Sequence, residues 1–140
     1  MIQSILQFFL RNRILIGFML VASTAVIIFL TLFPSSKIGQ SELYQYDKLG
    51  HFVLFFSWTF LFGLLMLSLK KVEANLILIF ITGSLFGLFI EFMQGVLPFG
   101  RVPSLGDAIA DILGTLSATI LLLLIKKRYL IRGERVSEKK

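Results

Sequence analysis

Three pairs of polar residues interrupt otherwise apolar stretches of this sequence, and the spacing within each pair suits one face of a helix. The pairs are Asp47 with His51, Glu91 with Gln94, and Asp107 with Asp111. Residues three or four positions apart in a helix project from the same side. Carboxylates and an imidazole held together in this way can transfer protons or bind the polar part of a ligand.

Basic residues lie next to these pairs. Lys48 follows Asp47, and Arg101 precedes Asp107, so both supply a countercharge suited to a phosphate or a carboxylate. We therefore predict an outward-facing polar pocket. Its expected lining consists of nine residues: Asp47, Lys48, His51, Glu91, Gln94, Arg101, Ser104, Asp107 and Asp111.

The sequence contains no standard catalytic signature. Gly83-Ser84 is not part of a G-x-S-x-G motif, and the lack of cysteine excludes a thiolate nucleophile and Cys-bound zinc. One histidine and nearby carboxylates could hold a hard divalent ion, but their spacing matches no known ligand signature. We therefore expect no metal and no cofactor. Acid/base work by a desolvated Glu91 or Asp111 keeps an enzyme as an alternative.

The elements that carry these residues are four long apolar runs. Of the 140 residues, 56% are hydrophobic and 16% are charged, against about 25% charged in soluble domains. This composition excludes a soluble globular fold. Each run matches the roughly 20 residues that a helix needs to cross a bilayer. The predicted spans are Ile14–Phe33, His51–Leu69, Leu76–Leu97 and Leu105–Ile125, which together make an all-α polytopic membrane protein.

The basic residues predict the orientation of these spans. Eleven of the 14 lysines and arginines lie in the N-terminal segment, in the turn between the second and third spans, and in the C-terminal tail. Cytoplasmic segments of membrane proteins carry such an excess. We therefore expect both termini to be cytoplasmic and the polar pairs to face outward. The net charge of +6 suits an anionic lipid surface, and we expect no nucleic-acid partner.

The spans divide the chain into three parts. Residues 1–13 contain a short amphipathic stretch that suits the membrane interface, residues 14–125 form the membrane domain, and residues 126–140 form a basic cytoplasmic tail. We expect the first span to be retained, because it is longer than the apolar part of a signal peptide. Small and acidic residues recur at four-residue steps, in the third span as Gly83, Gly87, Glu91 and Gly95 and in the fourth span as Asp107, Asp111, Thr115 and Thr119. Such faces suit close helix packing, and the glycines could also serve self-association.

Several of these motifs resemble those of the VanZ-like family. The matching residues are Asp47-Lys48-x-x-His51-Phe52, Glu91-x-x-Gln94, Arg101-x-x-Ser104-x-x-Asp107-x-x-x-Asp111-x-x-Gly114, and Leu32-Phe33-Pro34-Ser35 at the end of the first span. The family usually has Asn where this chain has Asp111, which adds a negative charge. The resemblance covers residues 14–125 and implies a small four-helix protein of the bacterial cytoplasmic membrane. The family is named for a member that confers low-level teicoplanin resistance.

We expect the pocket to bind a membrane lipid head group, a lipid-linked envelope precursor, or the lipid tail of a lipoglycopeptide antibiotic. Two alternatives remain open at this point. One is a membrane enzyme that acts on a lipid-linked phosphate or ester, and the other is a small proton-coupled transporter subunit that uses Glu91 and Asp111.

Overall fold

The protein is built from helices, as a computed structural model of residues 2–32, 44–98 and 100–131 shows. Five α-helices follow one another along the chain: α1 (Ile2–Arg11), α2 (Arg13–Leu32), α3 (Tyr44–Lys70), α4 (Leu76–Val96) and α5 (Leu105–Ile125). A 3-10 turn, Lys71–Glu73, joins α3 to α4, and a π-helical segment, Lys126–Ile131, continues α5. The described ranges contain no β-strand.

Four of these helices, α2 to α5, are long and apolar enough to cross a membrane. The predicted all-α polytopic fold is confirmed, and the predicted span boundaries agree with the helix ends to within one residue, with one exception. Helix α3 begins at Tyr44 rather than at His51, so Asp47 lies in its first turn. The predicted short helix at the N-terminus is present as α1, while its position at a membrane interface stays a prediction.

The two ends of the bundle differ in chemistry. The C-terminal ends of α2 and α4 lie together, as the hydrogen bond from Gln94 to the carbonyl of Thr31 shows. The N-terminal ends of α3 and α5 lie beside them, since His51 contacts Asp111 and Glu91 contacts Ser104. We call this end the polar end. The opposite end is packed with aliphatic residues such as Leu64, Ile79 and Leu122. The start of α2 and the end of α5 therefore lie on one side of the bundle, and the assignment of that side to the cytoplasm stays a prediction.

Glycines allow the helices to approach closely near the polar end. The most extensive helix contact is between α3 and α5, where a Cβ atom on Gly114 would meet the backbone carbonyl oxygen of Phe52. On α4, a Cβ on Gly87 would lie 2.8 Å from the Cβ of Asp111. Close packing at these glycines therefore brings α3 and α4 against the polar face of α5.

The connections are described in part. The turn predicted between the second and third spans is present between α3 and α4, and Asn75 caps α4 by accepting hydrogen bonds from Ile77 N and Leu78 N at 3.0 and 3.2 Å. Predictions for the loop that follows α2, including Pro34 and Ser35, and for tail residues 132–140 lie outside the described residues.

Candidate functional site

The centre of the site is a hydrogen bond between α3 and α5. His51 lies near the polar end of α3, and its Nδ1 is 2.9 Å from Oδ1 of Asp111. His51 is 3% exposed and Asp111 is fully buried. Gly114 permits this contact, because it lies one helical turn beyond Asp111 and packs against the backbone of α3 beside His51. Two polar residues that are 60 positions apart in sequence are thus joined inside the bundle.

Glu91 joins this pair from α4. Its Oε1 is 4.0 Å from His51 Nδ1, and its Oε2 accepts a hydrogen bond of 2.7 Å from the backbone N–H of Ser104. Glu91 is 6% exposed. The bond to Ser104 connects the end of α4 to the residue that precedes α5. We call His51, Glu91 and Asp111 the buried triad, to which each of three membrane-spanning helices contributes one side chain.

Two buried oxygen atoms of the triad have no hydrogen-bond partner among the described residues. These are Oε1 of Glu91 and Oδ2 of Asp111. Leaving a buried polar atom without a partner costs about 1–3 kcal/mol, and more for a charged group. Both atoms therefore indicate that the triad is built for something besides the internal stability of the bundle.

Two further acids lie near His51 on the side toward the surface. Asp47, one turn earlier on α3, and Asp107, in the first turn of α5, form a second group with His51. In each of the two groups, one ligand atom from every residue lies within 4.8 Å of the others, a spacing that could hold a metal ion. Asp107 is 8% exposed and Asp47 is half-buried, so acids extend from the surface inward to Asp111.

Lys48 and Ser104 meet at the first turn of α5. The position of a Cβ on Gly106 would be 3.3 Å from Lys48 Nζ and 3.4 Å from Ser104 Oγ. Ser104 is the N-cap residue of α5, but its side chain makes no capping hydrogen bond. An ammonium group and a hydroxyl group therefore lie together at the positive end of a helix dipole.

Arg101 and Gln94 contact α2 instead of the acids. Nη2 of Arg101 donates a 2.9 Å hydrogen bond to the carbonyl of Leu30, and Nε2 of Gln94 donates one of 3.0 Å to the carbonyl of Thr31. These carbonyls belong to the last described turn of α2, and Pro34, four residues after Leu30, has no N–H to donate to the carbonyl of Leu30. Arg101 still interacts electrostatically with Asp107, while its own Nε is buried without a partner.

The nine predicted residues all lie at the polar end, but they form two layers. Five are buried in the bundle, and the other four are half-buried or exposed and form a layer that we call the rim. The buried residues are His51, Glu91, Gln94, Asp107 and Asp111, and the rim consists of Asp47, Lys48, Arg101 and Ser104. The polar end therefore has a buried polar core and a more accessible rim, and the outward-facing pocket lined by these nine residues stays a prediction.

Sequence reasoning missed two features near the site. The first is the hydrogen bond from Gln94 to the carbonyl of Thr31. The only sequence indication for it was the predicted end of the first span, which places Thr31 near the polar end. Deeper in the bundle, the hydroxyls of Thr59 and Thr115 lie 3.2 Å apart and are fully buried. Thr115 follows Asp111 by one turn on the same helix face, which is the available sequence signal for this contact.

Comparisons with known proteins add no further constraint on the site: no protein-family model, curated protein or solved structure matches this chain.

Proposed function

We propose that this integral membrane protein belongs to the VanZ-like proteins of the bacterial envelope and binds a phosphate-bearing lipid head group at its polar end. The head group would belong to a membrane phospholipid or to a lipid-linked envelope precursor. The observation that carries this proposal is the meeting of ionisable side chains from α3, α4 and α5 at one end of the bundle.

The energetic cost of this arrangement supports a functional role. An ionisable side chain placed in the hydrocarbon region costs at least about 2.5–3.5 kcal/mol on insertion scales. The buried triad brings three such side chains together, and Asp107 lies close by. Apolar residues would pack the same space at lower cost. Selection for stability alone therefore gives no reason to keep this set of residues at one end of the bundle.

The rim supports phosphate as the ligand chemistry. Lys48 Nζ and Ser104 Oγ lie beside Gly106 at the N-terminus of α5, and Arg101 retains an Nε atom without a partner. Ammonium, guanidinium and hydroxyl groups are the donors that bind phosphate oxygens, and the helix dipole adds to the attraction. A Cβ atom on Gly106 would lie 2.5 Å from Cε of Lys48, so the lack of a side chain there lets Lys48 lie against the N-terminus of α5.

The charge distribution supports placement of the rim at the outer leaflet of the bacterial cytoplasmic membrane. Lysines 70 and 71 lie in the α3–α4 turn at the opposite end, and Lys126 donates a hydrogen bond to the carbonyl of Ala74 there. A cluster of basic residues at one end favours the cytoplasmic side for that end. The bundle thus has a basic end beside an anionic leaflet and a mixed, mainly acidic end facing away from it.

Lipid binding by charge variants tests the proposal. The full chain, purified in a mild detergent, is titrated with phosphatidylglycerol or with undecaprenyl phosphate, and bound lipid is counted by native mass spectrometry. Lys48→Gln and Arg101→Gln should each bind about tenfold more weakly than wild type, since each removes a charge-assisted contact worth about 1.4 kcal/mol. Lys70→Gln, an exposed lysine at the other end, is the matched control.

The two lipids separate the two sources of phosphate. Tighter binding of phosphatidylglycerol identifies a phospholipid, and tighter binding of undecaprenyl phosphate identifies a lipid-linked precursor. Equal losses in Lys48→Gln, Arg101→Gln and Lys70→Gln, or no binding of either lipid to the wild type, would refute the assignment of phosphate to the rim.

A membrane enzyme acting on a lipid-linked phosphate or ester is the second candidate, favoured by the hydrogen bond between His51 and Asp111. A carboxylate that holds an imidazole in place in this way is typical of acid/base catalysis. Incubation of the protein with both lipids, followed by mass spectrometry of the products, distinguishes the two candidates. Turnover that is lost in His51→Gln indicates an enzyme, and saturable binding without product indicates a binding protein.

A further inference from the structure

We propose that the buried triad of His51, Glu91 and Asp111 binds one divalent transition-metal ion, with Zn²⁺ as the best-matched probe. The three side chains each offer a ligand atom, and these atoms lie within 4.8 Å of one another. They come from three different helices, so a bound ion would join α3, α4 and α5. Metal binding needs only these three side chains and does not depend on a lipid at the rim.

The distances between the ligand atoms suit an ion of this size. Zinc binds imidazole nitrogen and carboxylate oxygen at about 2.0–2.2 Å, so neighbouring ligands of a tetrahedral ion lie about 3.3–3.6 Å apart. The distances from His51 Nδ1 are 2.9 Å to Asp111 Oδ1 and 4.0 Å to Glu91 Oε1, one on either side of that value. Shifts of less than 1 Å would bring each carboxylate to ligand spacing from His51 Nδ1.

The buried atoms without partners point to a missing ligand. Glu91 and Asp111 are each more than nine-tenths buried, and Oε1 of Glu91 and Oδ2 of Asp111 have no hydrogen-bond partner. Oε1 of Glu91 is the oxygen that lies 4.0 Å from His51. A cation bound there would coordinate Oε1 and would offset the cost of burying both carboxylates in their charged form.

Neighbouring groups fix the positions of Glu91 and Asp111, as outer-shell groups do for the ligands of a metal site. The backbone N–H of Ser104 fixes Oε2 of Glu91 at 2.7 Å, which leaves Oε1 for the ion. Gly87 allows Asp111 to lie against α4, because a Cβ atom there would meet the Cβ of Asp111 at 2.8 Å. Ligands oriented by such neighbours bind metals more tightly than free side chains do.

The charge balance and the ligand types define the metal. Two carboxylates match the charge of one divalent ion, and His51 is the only basic side chain in the described part of the chain that pairs with either acid. Imidazole nitrogen favours Zn²⁺ and similar transition metals over Mg²⁺ and Ca²⁺, which prefer oxygen ligands throughout. When the ion binds His51 Nδ1, any proton on that atom leaves to solvent.

Metal stoichiometry and affinity test this proposal. The full chain in detergent is stripped with a chelator, dialysed against Zn²⁺, and analysed by inductively coupled plasma mass spectrometry. We expect one Zn²⁺ per chain, unaffected by an excess of Mg²⁺. Glu91→Gln and Asp111→Asn should each weaken binding by at least roughly 100-fold, because changes to outer-shell partners alone cost 10–100-fold. Glu73→Gln, an exposed glutamate at the opposite end, is the matched control.

Three outcomes would overturn the assignment. The first is a wild-type chain that binds no Zn²⁺, a result that needs no variant to fold. The second is equal loss of binding in Glu73→Gln and Glu91→Gln, which indicates non-specific binding. The third is loss in Asp47→Asn without loss in Glu91→Gln, which assigns the ion to the outer group of Asp47, His51 and Asp107. Zinc-edge X-ray absorption of the wild type should show one imidazole ligand among oxygen ligands.

Discussion

Replacement of Gly114 by alanine perturbs the contact that aligns the site. The new Cβ atom would meet the carbonyl oxygen of Phe52 and would lie 3.0 Å from the backbone nitrogen of Phe56. Neither is the flexible end of a side chain, so α3 and α5 must separate. His51 precedes Phe52 on α3, and Asp111 lies one turn before Gly114 on α5. The separation should therefore lengthen the 2.9 Å contact between them.

The magnitude of the effect follows from two opposing contributions. Overpacking of a filled interior costs about 1–3 kcal/mol, and a clash with backbone lies at the upper end because no rotamer relieves it. Alanine regains about 1 kcal/mol over glycine in a helix interior. We expect Gly114→Ala to lower the free energy of unfolding by about 2 kcal/mol. Gly17→Ala and Gly50→Ala, where a Cβ meets nothing within 4 Å, should leave it unchanged or raise it slightly.

Reversible unfolding in mixed detergent micelles, followed by circular dichroism, measures this difference. Gly17→Ala controls for helix propensity in a membrane-spanning segment, and Gly50→Ala controls for a change next to His51. If Gly114→Ala is as stable as these two variants, α3 and α5 do not approach one another as described. The geometry of the buried triad would then lose its structural basis.

Two further predictions concern contacts away from the site. Asn75→Ala should lower the free energy of unfolding by about 1 kcal/mol, since it removes the cap of α4, whereas Asn75→Asp keeps an acceptor and should match wild type in the same assay. Thr24→Val should cost about 0.5–1 kcal/mol, because it removes the 2.9 Å hydrogen bond from Trp58 Nε1 that joins α3 to α2. Thr82→Val is its control, because the hydroxyl of Thr82 contacts only a carbonyl of its own helix. Equal stability of Thr24→Val and Thr82→Val would contradict the contact between α2 and α3.

The membrane-spanning helices could be predicted from sequence because a long apolar run satisfies its backbone hydrogen bonds in a bilayer only as a helix. Leu105–Ile125 and the start of α4 at Leu76 agree with the structure residue for residue. The start of α3 at Tyr44 could not be predicted in this way. Its first turns carry Asp47 and Lys48, so hydropathy falls although the helix continues.

The partners within the site could be predicted only in part. Spacing within one helix places Asp107 and Asp111 on one face, and the polar pairs do lie at the same end of the bundle. Spacing does not fix how two helices rotate about one another, so the contact between His51 and Asp111 had no sequence signal. The same reason explains the absence of a recognisable metal signature: the triad's ligands come from three helices and are separated by long stretches of chain.

Arg101 illustrates a second limit of sequence reasoning. Its position beside Asp107 predicted a countercharge for the acids, and the two do interact electrostatically. Its direct hydrogen bond, however, is to the carbonyl of Leu30, because the last turn of α2 exposes carbonyls that need donors. Such backbone acceptors cannot be located until the neighbouring helix ends are known.

A double-mutant cycle between His51 and Asp111 tests the central claim most directly, namely that polar side chains of different membrane-spanning helices meet inside the bundle. The free energies of unfolding of wild type, His51→Ala, Asp111→Ala and the double variant give the coupling between the two side chains. A hydrogen bond that involves a charged group predicts a coupling of about 2 kcal/mol. Effects that add to within about 0.5 kcal/mol would show that the two side chains do not interact, and would contradict the account.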